Sequence, residues 1–215
     1  MYADRGDAGR QLAGLMADLK LDSPVVFGLP RGGVVVAREV AKALGAPLHV
    51  IVVRKLGAPY QPELALGALA EDGSVTLNSE LLEEMGLTEA DLASVISREK
   101  EELRRRVDRY RQGRPLANLS GSTALLIDDG LATGATALAA IRMLRKLEAS
   151  AVVVAAPVGS RATVARLETF ADRVICPLTP DEFFAIGQFY QDFAQTTDQE
   201  VEAALGEVGG IPKQA

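Results

Sequence analysis

The sequence predicts a doubly wound α/β fold on a mainly parallel sheet, and two features predict it. Short apolar runs recur along the chain without polar alternation, and amphipathic helical stretches separate them. The runs cover residues 24–28, 48–53, 123–127, 151–155 and 173–176. Unbroken runs of this kind suit strands buried on both faces, which a parallel sheet with helices on each side provides. After the first run, residues 33–44 place Val34, Val36, Ala37, Val40, Ala41 and Leu44 at helical spacing and stop at Gly45, a residue suited to a left-handed helix cap. Residues 134–147 repeat the arrangement with Ala137, Leu138, Ile141, Leu144 and Leu147. Two strand–helix–strand units result.

Three stretches stand outside this alternation. Residues 67–77 set Glu71-Asp72-Gly73 between Ala68-Leu69 and Val75-Thr76-Leu77, which predicts a hairpin beside the main sheet. Thr88 and Asp91 then form a capping-box pattern ahead of Leu92, Val95, Ile96, Leu103, Val107 and Tyr110, which predicts a long helix. Residues 98–114 carry eight Lys/Arg against four Asp/Glu. They read as a solvated face tied by pairs such as Glu101 with Arg105 and Glu102 with Arg106; the alternative is attraction of a polyanion or a subunit interface. Thr179, Pro180 and Glu182 mark a further helix start.

With 48% apolar residues, the 215-residue chain can bury a sizeable core, and nothing in it marks a second domain, so residues 1–205 are read as one. Residues 206–215 contain Gly and Pro without periodicity and read as a flexible tail. A net charge of −6 argues against sequence-independent nucleic-acid binding. The longest apolar runs fall far short of the roughly 18 to 20 residues that cross a bilayer. Asp4, Arg5, Asp7 and Arg10 interrupt any secretory apolar region, and a cytoplasmic protein is expected. Cys176 and His49, each alone of its kind, sit in apolar runs and read as core residues without a metal or disulfide role.

Chemistry concentrates where strands end. The run at 123–127 leads into Asp128-Asp129-Gly130-Leu131-Ala132-Thr133-Gly134-Ala135-Thr136, two acids followed by a small-residue loop that opens a helix. Ligands of open α/β sheets bind at the carboxyl ends of strands. At such a helix start, unpaired N–H groups and the positive dipole end can hold a phosphate, with Thr133 and Thr136 adding hydroxyl donors. The two carboxylates suit the vicinal hydroxyls of a sugar or a hydrated Mg2+. A sugar phosphate is the ligand this combination specifies. Gly28-Leu29-Pro30-Arg31-Gly32-Gly33 after the first run could wrap a pyrophosphate, its glycines allowing close approach and Arg31 adding charge. Arg54 and Lys55 close the second run, and the Gly/Pro-containing residues 56–63 that follow resist regular structure, as a movable flap would.

No Gly-Lys-Ser/Thr ending is present, which excludes a P-loop, and the dinucleotide fingerprint is absent too. The segment 128–136 behind its apolar strand instead closely resembles the motif with which type I phosphoribosyltransferases bind 5-phosphoribosyl 1-pyrophosphate (PRPP). The resemblance spans residues 24–157, interrupted by a helical insertion at about 79–114, and is looser at both ends. It implies a three-layer fold with a small C-terminal hood at about 177–205, and transfer of the phosphoribosyl group to a nitrogenous base with release of pyrophosphate. It further implies Mg2+ at Asp128 and Asp129, ribose contacts from the same two acids, and the 5-phosphate on Leu131, Ala132, Thr133, Gly134, Ala135 and Thr136. Pro30, Arg31, Gly32 and Gly33 become the pyrophosphate loop, with a cis Pro30–Arg31 peptide, and Arg54 and Lys55 join it as pyrophosphate contacts. A homodimer is implied as well. For the base, the candidates are Val158, Phe184 and Tyr190, the latter two from an aromatic cluster that could equally be core. The acceptor's identity stays open, and two rivals use the same cradle: a non-catalytic sensor of PRPP or nucleotide, and a hydrolase or phosphorylase.

Overall fold

In the computed structural model, residues 1–116 and 118–208 are described, apart from the side chains of Pro62 and Glu63. Helix α1 (Arg5–Met16) starts at Asp4, whose carboxylate accepts from the Asp7 amide. Strand β1 (Val25–Gly28) passes to α2 (Gly32–Leu44), which ends at Gly45 with φ +60°. Strands β2 (Leu48–Val50), β3 (Val53–Ala58), β4 (Gln61–Ala70) and β5 (Val75–Leu77) follow, then α3 (Ser79–Glu84) and α4 (Ala93–Arg111). The second half runs β6 (Thr123–Ile127), α5 (Ala135–Lys146), β7 (Ala151–Ala155), α6 (Arg161–Leu167), β8 (Arg173–Ile175) and α7 (Asp198–Val208).

The main sheet is wholly parallel, in the order β2-β1-β6-β7-β8. Its strands alternate between two cores. Val26, Leu48, Val50, Leu125 and Ile127 pack with α1, α2, α4 and α7, whereas Phe27, Leu126, Val152 and Val154 pack with α5. Apolar residues at every position are therefore required, and the three-layer doubly wound fold follows. The chain order reverses between β1 and β6, so both their carboxyl ends open onto one crevice. Among the described residues no helix is long and apolar enough to cross a membrane.

Several expectations need correction. The run 48–53 is not one strand: β2 ends at Val50, and Val53 begins β3 in a separate antiparallel sheet, β3-β4-β5. The break is held by Ile51 N–H donating to Gly28 O at 3.3 Å and Val52 N–H to Glu71 Oε2 at 3.3 Å. Residues 56–63, expected to be irregular, belong to the β3–β4 hairpin, where bulges around Gly57 absorb the irregularity. The predicted β4–β5 hairpin is present, pairing Leu69 with Val75. No helix forms at Thr179: Leu178 instead pairs with Val158, and Phe183 packs into the aromatic cluster of this segment. Helix α7 continues through Val208, and the rest of the expected tail, 209–215, lies outside the described residues.

The basic helix is largely an internal clamp. Glu102 pairs with Arg105 and Arg106, each at 2.7 Å; the predicted Glu101–Arg105 pair gives way to this shorter spacing. Arg109 reaches Asp198 and Glu202 on α7, Tyr110 donates to Asp198 at 2.6 Å, and Arg111 pairs with Glu71. Cys176 is half-buried and burial pushes its thiol up to about 12; His49 stacks on Phe27.

Candidate active site

The crevice between β1 and β6 brings two loops together. Leu29 N–H donates to Ile127 O at 2.9 Å, which continues the sheet pairing one residue past β1 and sets residues 30–33 against Asp128 and Asp129. The Pro30–Arg31 peptide is cis, as the resemblance implies. Contact between the loops leaves no room for a side chain. A Cβ on Gly32 would lie 1.9 Å from Asp129 Oδ2, and one on Gly33 would lie 2.9 Å from Asp128 Oδ1. Asp128 Oδ1 accepts from the Asp129 amide at 2.9 Å. Burial, and then the neighbouring Asp129 charge, hold the Asp128 carboxyl well above the usual carboxylate range.

The loop at residues 130–134 is braced from behind. Leu131 N–H donates to Val158 O and Ser160 N–H to Leu131 O, both at 2.9 Å, while Ala132 O accepts from the Thr163 hydroxyl at 2.5 Å. Gly134 adopts φ +71°, which carries the chain into α5, whose first amides have no partner within the helix. Ala132 and Thr133 are exposed there. Arg31 Nη1 lies 4.0 Å from Asp198 at the start of α7.

Other expected residues stand elsewhere. Arg54 is on β3, in the second sheet, and its guanidinium pairs with the buried Glu99 of α4 at 2.7 Å rather than extending from the main sheet's edge. Lys55, the next residue on the same strand, is exposed. Val158 is fully buried and Tyr190 is 5% exposed, packed on Tyr2 and Phe193, so neither presents a stacking face. The Tyr190 hydroxyl donates to Asp129 O at 2.7 Å, and burial raises its pKa, so it remains a donor. Phe184 is 80% exposed, turned away from this cluster. The aromatic group is the core of the hood. Beside Tyr190, Ile186 also touches the crevice: its Cγ2 lies 2.5 Å from where a Cβ on Gly130 would sit.

Sequence reasoning missed Ile186, the Ser160–Thr163 brace and, above all, Arg5. Arg5 Nε donates to Asp129 Oδ2 at 2.7 Å, and Nη1 donates to Ala194 O at 2.7 Å. No signal in the sequence distinguishes Arg5 from any charged residue at a helix start. A groove of about 400 Å3 also borders the loop at residues 130–134, running between β5 and α5 past Thr76, Ser79, Thr133 and Arg142.

Among the described residues no cluster of three or more His, Cys, Asp or Glu could by itself hold a metal. Asp128 and Asp129 alone fit Mg2+, an ion that keeps several waters and takes one or two carboxylates together with substrate phosphates.

Comparison with known proteins agrees with this geometry. The family profile described as "Phosphoribosyl transferase domain" matches residues 2–193. Two Mycobacterium tuberculosis proteins, from strains CDC 1551 and H37Rv, are 52% identical over 205 residues, covering 95% of this chain and 46% of theirs. Both bear the name "Putative phosphoribosyl transferase", and the chain spans somewhat under half their length. The crystal structure of TT1426 from Thermus thermophilus superposes with a TM-score of 0.81 at 45% identity, covering 97% of this chain and 99% of that one. The AQ2163 protein of Aquifex aeolicus, at 12% identity and a TM-score of 0.53 over 95% of this chain and 86% of its own, shares the fold.

Proposed function

The chain belongs to the phosphoribosyl transferase domain family, and from that premise we propose that it transfers the phosphoribosyl group of PRPP to a nitrogenous base, releasing pyrophosphate. One observation carries the reading: at the switch point of the sheet, the acid pair Asp128 and Asp129 stands against a glycine loop and just ahead of a helix N-terminus. Those are the three parts that the 5-phosphate, the pyrophosphate and the sugar of PRPP require.

In this reading the amides and hydroxyls of residues 132–136 anchor the 5-phosphate, Leu131 being set aside because its amide is taken by Val158 O, and Asp128 and Asp129 accept hydrogen bonds from the ribose hydroxyls. The backbone of residues 30–33 and the Arg31 guanidinium receive the pyrophosphate. The bond from C1 to the pyrophosphate oxygen breaks, the bond from C1 to the base nitrogen forms, and the nitrogen's proton leaves to solvent. Mg2+ held by Asp128 and Asp129 with the substrate would supply charge neutralisation for the leaving group. The residues themselves position a sugar whose C1 becomes cationic in the transition state and keep donors aimed at the departing oxygens. The acceptor enters beside Ile186 and Gly130, under the segment that follows β8. For Arg54 to contact the pyrophosphate it would have to leave Glu99, and Lys55 on the same strand is its exposed neighbour. A homodimer and a cytoplasmic setting accompany the proposal.

The test is turnover. The protein is incubated with Mg2+, PRPP and a panel of purine and pyrimidine bases, and nucleotide and pyrophosphate are quantified. Equal amounts of both from at least one base, lost in Asp129→Asn, support the transferase. Tight PRPP binding without product from any base supports the sensor, and pyrophosphate released without nucleotide supports a hydrolase.

A further inference from the structure

Arg5 comes into the crevice from outside both loops, on the first turn of α1, and its side chain is 12% exposed. Three contacts fix its guanidinium. Nε donates to Asp129 Oδ2, Nη1 donates to Ala194 O, and the guanidinium carbon lies 3.8 Å from the centre of the Phe193 ring. A planar fork held at two edges and one face has its orientation determined, which a flexible ammonium would not. The pair is also built into the pyrophosphate loop: a Cβ on Gly32 would stand 1.9 Å from Asp129 Oδ2 and 2.5 Å from Arg5 Nε.

We propose that Arg5 is a positioning residue for the sugar: by occupying Oδ2 of Asp129 it presents Oδ1 to the ribose diol and ties that carboxylate to the segment at residues 193–194. The inference rests on the reading of the crevice as a PRPP site. Two adjacent carboxylates beside an anion cradle repel the ligand the cradle attracts, and a resident guanidinium offsets one of those charges through a single oxygen, Oδ2. Because the same side chain grips Ala194 O and Phe193, the acid's orientation and the seating of the chain leading to α7 depend on one group. A purely structural ion pair would have no influence on which sugar the site prefers.

Calorimetric titration of the full chain tests this, with PRPP, ribose 5-phosphate and 2-deoxyribose 5-phosphate as probes in the presence of Mg2+. The wild type prefers ribose 5-phosphate to its 2-deoxy analogue. Arg5→Gln lowers that preference about tenfold or more, the scale of a lost charge-assisted hydrogen bond, while affinity for the 2-deoxy sugar stays within about twofold. Asp129→Asn produces a similar loss, and adding Arg5→Gln to it costs nothing further. An unchanged preference in Arg5→Gln, with the wild type binding normally, overturns the proposal and leaves the site standing. If the wild type binds none of the three probes, the reading of the crevice itself fails. Should Arg5→Gln not fold, Arg5→Lys decides the matter: a rotatable ammonium lacks the fixed donor directions with which the guanidinium holds Asp129 and Ala194, so the preference must fall, and a wild-type preference refutes the role.

Discussion

Gly32 shows how tightly single residues are constrained here. Replacing it with alanine sets a methyl group 1.9 Å from Asp129 Oδ2, so either the carboxylate or the loop must move. Gly32→Ala is expected to cost about 1–3 kcal/mol in urea unfolding, as overpacking does, and to abolish PRPP binding in a thermal-shift titration. Glu71 is a second such point. Its side chain is 3% exposed and accepts from Val52 N–H and Arg111, so it joins the end of β4 to the turn between the two sheets and to α4. Glu71→Ala leaves Arg111 without its acid and should lower stability by about 3–5 kcal/mol in denaturant titration. Residue type alone made Asp128, Asp129 and Gly134 legible, because adjacent acids and a glycine before a helix carry their chemistry wherever they stand. Arg5 was not legible: its partner Asp129 is 124 positions away, and only the packing of α1 on α2 brings them together. Phe184 and Tyr190, one exposed and one buried, could not be told apart for the converse reason, since an aromatic side chain reads alike whether it packs, stacks or faces solvent.

Elements built from local rules agree with their sequences, and elements decided by tertiary pairing do not. The capping box at Thr88 and Asp91 is present as read, and α4 runs to Arg111. Of the two i,i+4 pairs expected on its charged face, Glu102 with Arg106 is present, while Arg105 turns from Glu101 to Glu102 at i,i+3. Hydrogen bonding from Arg105, with Arg106 beside it, draws the Glu102 carboxyl down to about 2 from 4.5. A depressed carboxylate stabilises the folded state above its unfolded pKa and loses that contribution as protonation proceeds. Wild-type stability should therefore fall between pH 4.5 and about 2, and Glu102→Gln should flatten that part of the profile measured by thermal unfolding. The β3–β4 hairpin escaped notice because Gly57 and Pro59 punctuate it, whereas the pairing of Val53 with Ala70 depends on residues far apart in the chain. Thr179 and Glu182 satisfy a capping pattern, yet pairing of Leu178 with Val158 and burial of Phe183 prevail over that local preference.

For the molecule as a whole, function follows from topology: the reversal of strand order between β1 and β6 makes one crevice out of two loops about a hundred residues apart. Sequence patterning reveals the strands and the two loops, but the order of strands, and with it the meeting of Gly32 with Asp129, is a property of the assembled sheet. The same assembly places α7 so that Asp198 faces Arg31 on one side and Arg109 and Tyr110 on the other, linking the pyrophosphate loop to the basic helix. The most direct measurement is a crystal structure of the protein with PRPP and Mg2+. It should show the 5-phosphate on the amides of residues 132–136, the ribose hydroxyls on Asp128 and Asp129, and the pyrophosphate along residues 30–33. PRPP bound instead in the groove between β5 and α5, with the crevice between the two loops unchanged and closed to it, would contradict the account.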